Sequence, residues 1–88
     1  MKVDFLAKFS KDLDKIDDKI IRQKILQKIE ECEFAMKISD LTNVKKLIGF
    51  KSAYRIKIGD YRLGFFFDNE ICEFARIVHR KDIYKVFP

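Results

Sequence analysis

The sequence predicts an α+β fold: a helical hairpin packed on one face of a mainly antiparallel four-stranded sheet, with residues 1–88 as one domain. Three observations predict it. Apolar residues recur at helical spacing through the first half, at Leu6, Phe9, Leu13 and Ile16 and again at Ile21, Ile25, Ile29 and Cys32. Beyond about residue 50 the pattern switches to β-branched and aromatic runs broken by turn residues. A chain of 88 residues that is 48% hydrophobic has material for one core and none for a second.

The elements follow in order. Met1–Leu6 alternates loosely, with Val3 and Phe5 on one side, and reads as an opening strand. Leu6, Phe9, Leu13 and Ile16 form the apolar stripe of a first helix, with Lys8, Lys11, Asp12, Asp14 and Lys15 on its wet side. Asp17 and Asp18 interrupt it and can cap a second helix. Ile21, Ile25, Ile29 and Cys32 line that helix, and Ile20 and Leu26 widen the stripe. So short a break makes the two helices a hairpin. Residues 34–46 are less regular and read as a loop or an extra turn, anchored by Leu41, Val44 and, just beyond, Leu47. Tyr54–Ile58, Tyr61–Phe67 and Ile71–Val78 are strands, joined by two-residue turns at Gly59-Asp60 and Asp68-Asn69.

Those turns set a register, and the register sorts side chains by face. Across the first turn Lys57 faces Arg62 and Arg55 faces Gly64; across the second Phe65 faces Cys72, Leu63 faces Phe74 and Arg62 faces Ala75. One face then gathers Tyr54, Ile56, Ile58, Leu63, Phe65, Cys72, Phe74 and Val78, the core beneath the helices. The other gathers Arg55, Lys57 and Arg62 beside Gly64 and Ala75, with His79 at the same parity and Phe66, Ile71 and Ile77 as exposed apolar neighbours.

Charge supports a function for that second face. The net charge is +5. Residues 1–44 carry nine Lys/Arg and nine Asp/Glu, and residues 45–88 carry ten and five, so the whole excess (10 − 5 = +5) lies in the second half. Lys57 opposite Arg62, with Arg55 diagonal, places like charges across a sheet, which is destabilising unless an anion supplies the missing charge. A solubilising surface screened by Glu73 and solvent is the plainer alternative. The apolar neighbours of the cations point to a protein partner as well.

Other chemistry is excluded or weak. There is no apolar run long enough to span a membrane and no signal-peptide core after Met1-Lys2, so the expected compartment is the cytoplasm. Cys32 and Cys72 read as buried thiols. One histidine, no paired cysteines and scattered acids give no metal site and no expected cofactor. The three glycines, at 49, 59 and 64, form no phosphate loop. A site of Arg, Lys, His and Tyr remains. Such a site suits RNA, whose 2′-hydroxyl is an internal nucleophile that needs only alignment, charge neutralisation and proton transfer.

The segments Val44–Phe50 (VKKLIGF), Tyr54–Leu63 (YRIKIGDYRL) and Arg76–Tyr84 (RIVHRKDIY), behind a helical hairpin, resemble the RelE/ParE superfamily of toxins from type II toxin–antitoxin systems, over essentially the whole chain. For the RelE-like branch the resemblance implies a ribosome-dependent endoribonuclease that cleaves mRNA in the A site without a metal ion. It also implies silencing by an acidic, partly disordered antitoxin. Carried over residue by residue, Arg55, Lys57 and Arg62 are the implied RNA-binding cations. Lys57, Arg62, Arg80 and Tyr84 are the implied catalytic groups. Position 55 is Arg where the best-studied pattern has Lys, which keeps phosphate binding and weakens proton transfer there. The spacing from Arg80 to Tyr84 is shorter than in some members, so His79 stands beside Tyr84 as a candidate acid or base, imidazole titrating nearer neutrality than phenol. Phe66, Ile71 and Ile77 are the expected antitoxin contacts. The superfamily's gyrase-inhibiting ParE branch, and a non-catalytic antitoxin-binding regulator, are the alternatives.

Overall fold

In the computed structural model, which describes residues 1–88, the chain runs β1 (Lys2–Phe5), α1 (Ala7–Asp14), α2 (Lys19–Phe34) and a 3₁₀ turn (Ile38–Asp40). It continues through β2 (Val44–Lys46), β3 (Ala53–Ile58), β4 (Tyr61–Asp68) and β5 (Ile71–His79) to α3 (Ile83–Val86). The α+β class and the hairpin stand, but the sheet has five strands and is mixed. Its order is β1-β5-β4-β3-β2, with β1 parallel to β5 and the other pairs antiparallel. The added strand is β2, three residues at the edge that sequence periodicity cannot resolve. No helix is long and apolar enough to cross a membrane.

The helical hairpin forms for the reasons its sequence gives. Asp18 caps α2, accepting hydrogen bonds from the Ile20 and Ile21 amides at 2.9 and 3.2 Å. Phe9 of α1 and Ile25, Ile29 and Cys32 of α2 are buried against Ile56, Leu63, Phe65, Cys72 and Phe74 of the sheet. Ile20 and Leu26 do not widen that stripe: they lie 66% and 55% exposed, on the outer side of the helix. Phe9, Phe65 and Phe74 are in ring contact, with Phe74 5.6 Å from Phe9 and 5.9 Å from Phe65. Each fully buried Phe contributes about 1.5–3 kcal/mol of hydrophobic stabilisation. Cys32 and Cys72 are free and fully buried, and the Cys32 thiol is pushed up by its hydrogen bond with Cys72 and by burial.

The first strand hairpin has the expected register: Ile58 pairs with Tyr61, Lys57 with Arg62 and Arg55 with Gly64 across Gly59-Asp60. The second does not. Its turn is Asn69-Glu70, both at positive φ (50° and 62°), so Asp68 pairs with Ile71, Phe67 with Cys72 and Phe65 with Phe74. A shift of two preserves face, so Cys72 and Phe74 stay in the core. The register then breaks between Gly64 and Phe65: Phe65 pairs with Phe74 but Gly64 with Arg76, leaving Ala75 as the extra residue of a bulge. Every later residue of β5 therefore changes face. Ile77, expected in the open, is 1% exposed in the main core. Val78, expected in the core, packs with a second apolar cluster on the opposite face.

The bulge also organises the sheet's edge. β1 pairs with β5 only as far as Phe5–Phe74, which leaves the Ile77 amide without a strand partner. Asp12 of α1 fills that place: its carboxylate accepts from the Ile77 amide at 3.1 Å and from Arg76 Nε and Nη2 at 2.7 and 3.0 Å. The hydrogen bond to Asp12 holds the Arg76 guanidinium's pKa above its usual range.

Candidate functional site

The face away from the helical hairpin is not bare. The last turn of chain, α3 and Phe87, lies across its middle. Ile83 and Phe87 are buried there on Ala53 and Ala75, with Leu47, Phe66 and Val78 packed around them. The small residues Gly64 and Ala75, expected to leave room for a phosphate beside Arg62, instead make room for Phe87: a Cβ on Gly64 would meet its ring at 2.6 Å.

On one side of that segment lies the cationic cluster. Strand pairing puts Lys45, Arg55 and Gly64 in one row and Lys57 and Arg62 in the next, with all four cations on the same face. Arg55, Lys57 and Arg62 are thus brought together as expected. Lys45 is the member that sequence reasoning missed; its signal was the Val44-Lys45-Lys46 run, whose lysines suit an edge strand. None of the four is ion-paired, because the fold's two salt bridges, Lys28–Glu31 and Arg76–Asp12, lie elsewhere. The Arg62 guanidinium turns back along its own hairpin and donates from Nη1 to the Gly59 and Tyr61 carbonyls, both at 2.9 Å. That fixes its position and leaves Nε and Nη2 for an anion.

Tyr84 joins this cluster. Its side chain projects from α3 into solvent, and the Arg55 guanidinium lies over its ring, 4.6 Å from the centroid. Arg80 is exposed just past β5. Its amide donates to the Asp60 carbonyl at 2.8 Å, which ties it to the same sheet end as Lys57 and Arg62. His79 does not share their face. The bulge turns it to the helix-covered side, where it pairs with Tyr61 and sets its ring edge-on to that of Tyr61 at 5.8 Å. Its Nδ1 accepts from the Lys81 amide at 3.2 Å. The expectation that His79 lines the cationic face is corrected by that one-residue insertion.

Of the three expected antitoxin contacts, the structure corrects Ile77. Ile77 is in the core, and Phe66 is half-buried with its ring 5.0 Å from that of Phe87. Phe66 and Ile71 border a groove with Asp4, Asp68 and Glu73, while Lys2 pairs with Ile71 across β1 and β5 and Lys8 and Arg76 line a second groove beside Phe66, so their charged neighbours are of both signs. The open face is therefore divided: an end of mixed charge, the apolar C-terminal segment, and a cationic end carrying Tyr84. The cationic end can hold a phosphate, stabilise charge growing on its oxygens and present a phenol for proton transfer.

Known proteins share this sequence pattern and fold. Residues 3–84 match the family model described as the ParE toxin of the type II toxin–antitoxin system parDE. Toxin RelE3 of Methanocaldococcus jannaschii is 40% identical over 89 residues, covering 100% of both chains. Among solved structures, a chain of the RelB-RelE antitoxin-toxin complex from Methanococcus jannaschii superposes with a TM-score of 0.83 at 35% identity, over 97% of this chain and 99% of that one. A chain of the intact E. coli RelBE toxin–antitoxin complex shares the fold, with a TM-score of 0.70 at 23% identity over 89% and 94%. With a family model spanning nearly the whole chain and a full-length relative at 40% identity, this chain belongs to the RelE/ParE superfamily and is a toxin of the type II toxin–antitoxin class.

Proposed function

We propose that this toxin is a ribosome-dependent endoribonuclease that cleaves mRNA in the A site and so inhibits translation. The observation that carries the reading is the Arg55–Tyr84 pair, a phenol held under a guanidinium within a group of unpaired cations. In the proposed reaction the substrate's 2′-oxygen attacks the adjacent phosphorus as its proton departs. The bond from phosphorus to the 5′-oxygen breaks, and that oxygen takes up a proton. The products are a 2′,3′-cyclic phosphate and a 5′-hydroxyl. Arg55, Lys57 and Arg62 bind the phosphate, Arg62 and Arg80 stabilise the charge that grows on its free oxygens, and Tyr84 moves a proton. Charge stabilisation in this reading falls to the arginines and lysines.

In this reading, which the family resemblance implies, alignment of the substrate comes from the ribosome, and naked RNA is a poor substrate. Binding is salt-sensitive because phosphate contacts release counterions. The setting is the cytoplasm, where ribosomes are. Solved relatives occur in complexes with RelB antitoxins. A RelB-type partner silences this toxin in the same reading, with acidic side chains directed at the cationic end.

Gyrase inhibition is the second reading, because the matching family description names the ParE toxin. Two assays on the purified toxin separate them: cell-free translation with mapping of mRNA 5′ ends, and supercoiling by DNA gyrase. Cleavage inside ribosome-bound codons with supercoiling intact is the expected result. Intact mRNA with blocked supercoiling would transfer the assignment to the ParE branch. Neither effect, with antitoxin binding retained, would leave a non-catalytic regulator.

A further inference from the structure

The residue that places Tyr84 is not in contact with it. A four-residue helix cannot hold its own conformation in water, since nucleation is costly and α3 has few internal bonds to repay it. What fixes α3 is its anchorage. Ile83 and Phe87 lie four residues apart, on one face, and both are buried. Tyr84 follows Ile83, points away from that face and is 75% exposed.

The Phe87 anchor has a definite seat. Gly64 lies in the middle of β4, where its φ is not in the left-handed region, so no turn or strain requires a glycine there. The close approach of Phe87 does. A Cβ at position 64 would lie 2.6 Å from ring atoms Cγ and Cδ2 and 2.9 Å from Cδ1, inside any real contact distance. Ala53 and Ala75 complete a floor of minimal side chains, and Ala75 reaches it as the extra residue of the bulge. Gly64 is also the direct cross-strand partner of Arg55, whose guanidinium covers the Tyr84 ring. One row of the sheet thus supplies the seat for Phe87 and the clamp on Tyr84.

We infer that Gly64 and Phe87 form a lock that sets Tyr84 against Arg55, making both of them positioning residues for cleavage. The inference rests on Tyr84 being the proton-transferring group of the function proposed above. Adding a methyl group at 64 raises the Phe87 ring, tilts α3 and moves the Tyr84 hydroxyl from its place. A displacement on the order of 1 Å at a reacting group costs about 10²-fold in rate.

The test uses the full chain with Gly64→Ala, Phe87→Leu and the double substitution, in single-turnover cleavage of mRNA on programmed ribosomes and by NMR of the free toxin. Gly64→Ala is expected to lower the cleavage rate constant about 10²-fold, while the ribosome concentration at half-maximal rate changes little. Phe87→Leu leaves the smaller side chain room over an added methyl, so the double variant is expected to be faster than Gly64→Ala alone. Tyr84→Phe added to Gly64→Ala is expected to cost much less than it does in the unaltered toxin, because both act through one hydroxyl. A merely structural role for Gly64 predicts full additivity. The NMR cross-peaks between the Arg55 side chain and the Tyr84 ring are expected in the unaltered toxin and lost in Gly64→Ala. Should Gly64→Ala fail to fold, Phe87→Ala takes its place with the same readouts. A Gly64→Ala toxin that folds, cleaves at the full rate and keeps the cross-peaks overturns the lock. If the unaltered toxin cleaves nothing, the proposed function fails and the cross-peaks alone decide whether the lock exists.

Discussion

The two faces of one sheet differ in almost every physical respect. Under the helical hairpin the sheet presents Ile56, Leu63, Phe65 and Phe74, all fully buried, with no cation among them. On the other face it presents Ala53, Gly64 and Ala75 in the middle and Lys45, Arg55, Lys57 and Arg62 at one end. The first face supplies stability and carries no chemistry. The second sets like charges side by side at a cost in stability and is the face proposed to bind an anion. Because side chains alternate along a strand, adjacent residues of β4 serve opposite purposes: Arg62 and Gly64 belong to the site, Leu63 and Phe65 to the core.

That division makes opposite predictions for neighbouring substitutions. The largest effect is expected at Phe65. Phe65→Ala should cost about 3–5 kcal/mol, a large share of the stability of a small domain, and urea denaturation should show a sharply lowered midpoint. Arg62→Ala should fold normally, with a urea midpoint close to that of the unaltered toxin, while its cleavage rate falls about 10²–10³-fold. If Arg62→Ala kept full toxicity while folded, the RNase reading would be in trouble and gyrase inhibition would lead.

Asp12 lies between these extremes. Asp12→Ala removes a charge-assisted pair with Arg76 and strands the Ile77 amide at the edge of β5, so a loss of about 2–3 kcal/mol is expected. The loss should be visible as a lower urea midpoint, with the cleavage rate of the folded fraction unchanged. His79→Gln should have the smallest effect, within about twofold in single-turnover cleavage, because the bulge places the imidazole on the face away from Arg62. A large loss at His79→Gln with Tyr84→Phe unaffected would move proton transfer to the imidazole.

The same comparison explains what could be read from the sequence. Both helices, the opening strand and the β3–β4 hairpin were legible. Their signals are local: a 3.6-residue stripe, the Asp18 cap, and a two-residue turn with Gly59 at a φ of 58°. The cation cluster followed from that hairpin alone, which is why Arg55, Lys57 and Arg62 meet as expected. The second hairpin was less legible, because a glutamate at positive φ carries no turn signature. The bulge was not legible at all. Nothing in Phe74-Ala75-Arg76 marks an unpaired residue, yet it moved Ile77, Val78 and His79 to the faces opposite those expected. The C-terminal cover escaped for a different reason. Its helix is one turn long, and what holds it is the absence of a side chain at Gly64.

In the proposed function the cationic face carries the chemistry through a hydroxyl the core does not need. The most direct measurement is single-turnover cleavage on programmed ribosomes by Tyr84→Phe, beside its urea midpoint. The ring, its contact with Arg55 and the fold all survive that change; only the oxygen is lost. The expected rate is lower by about 10²-fold or more at an unchanged midpoint. A Tyr84→Phe toxin that is equally stable and cleaves at the full rate would contradict it.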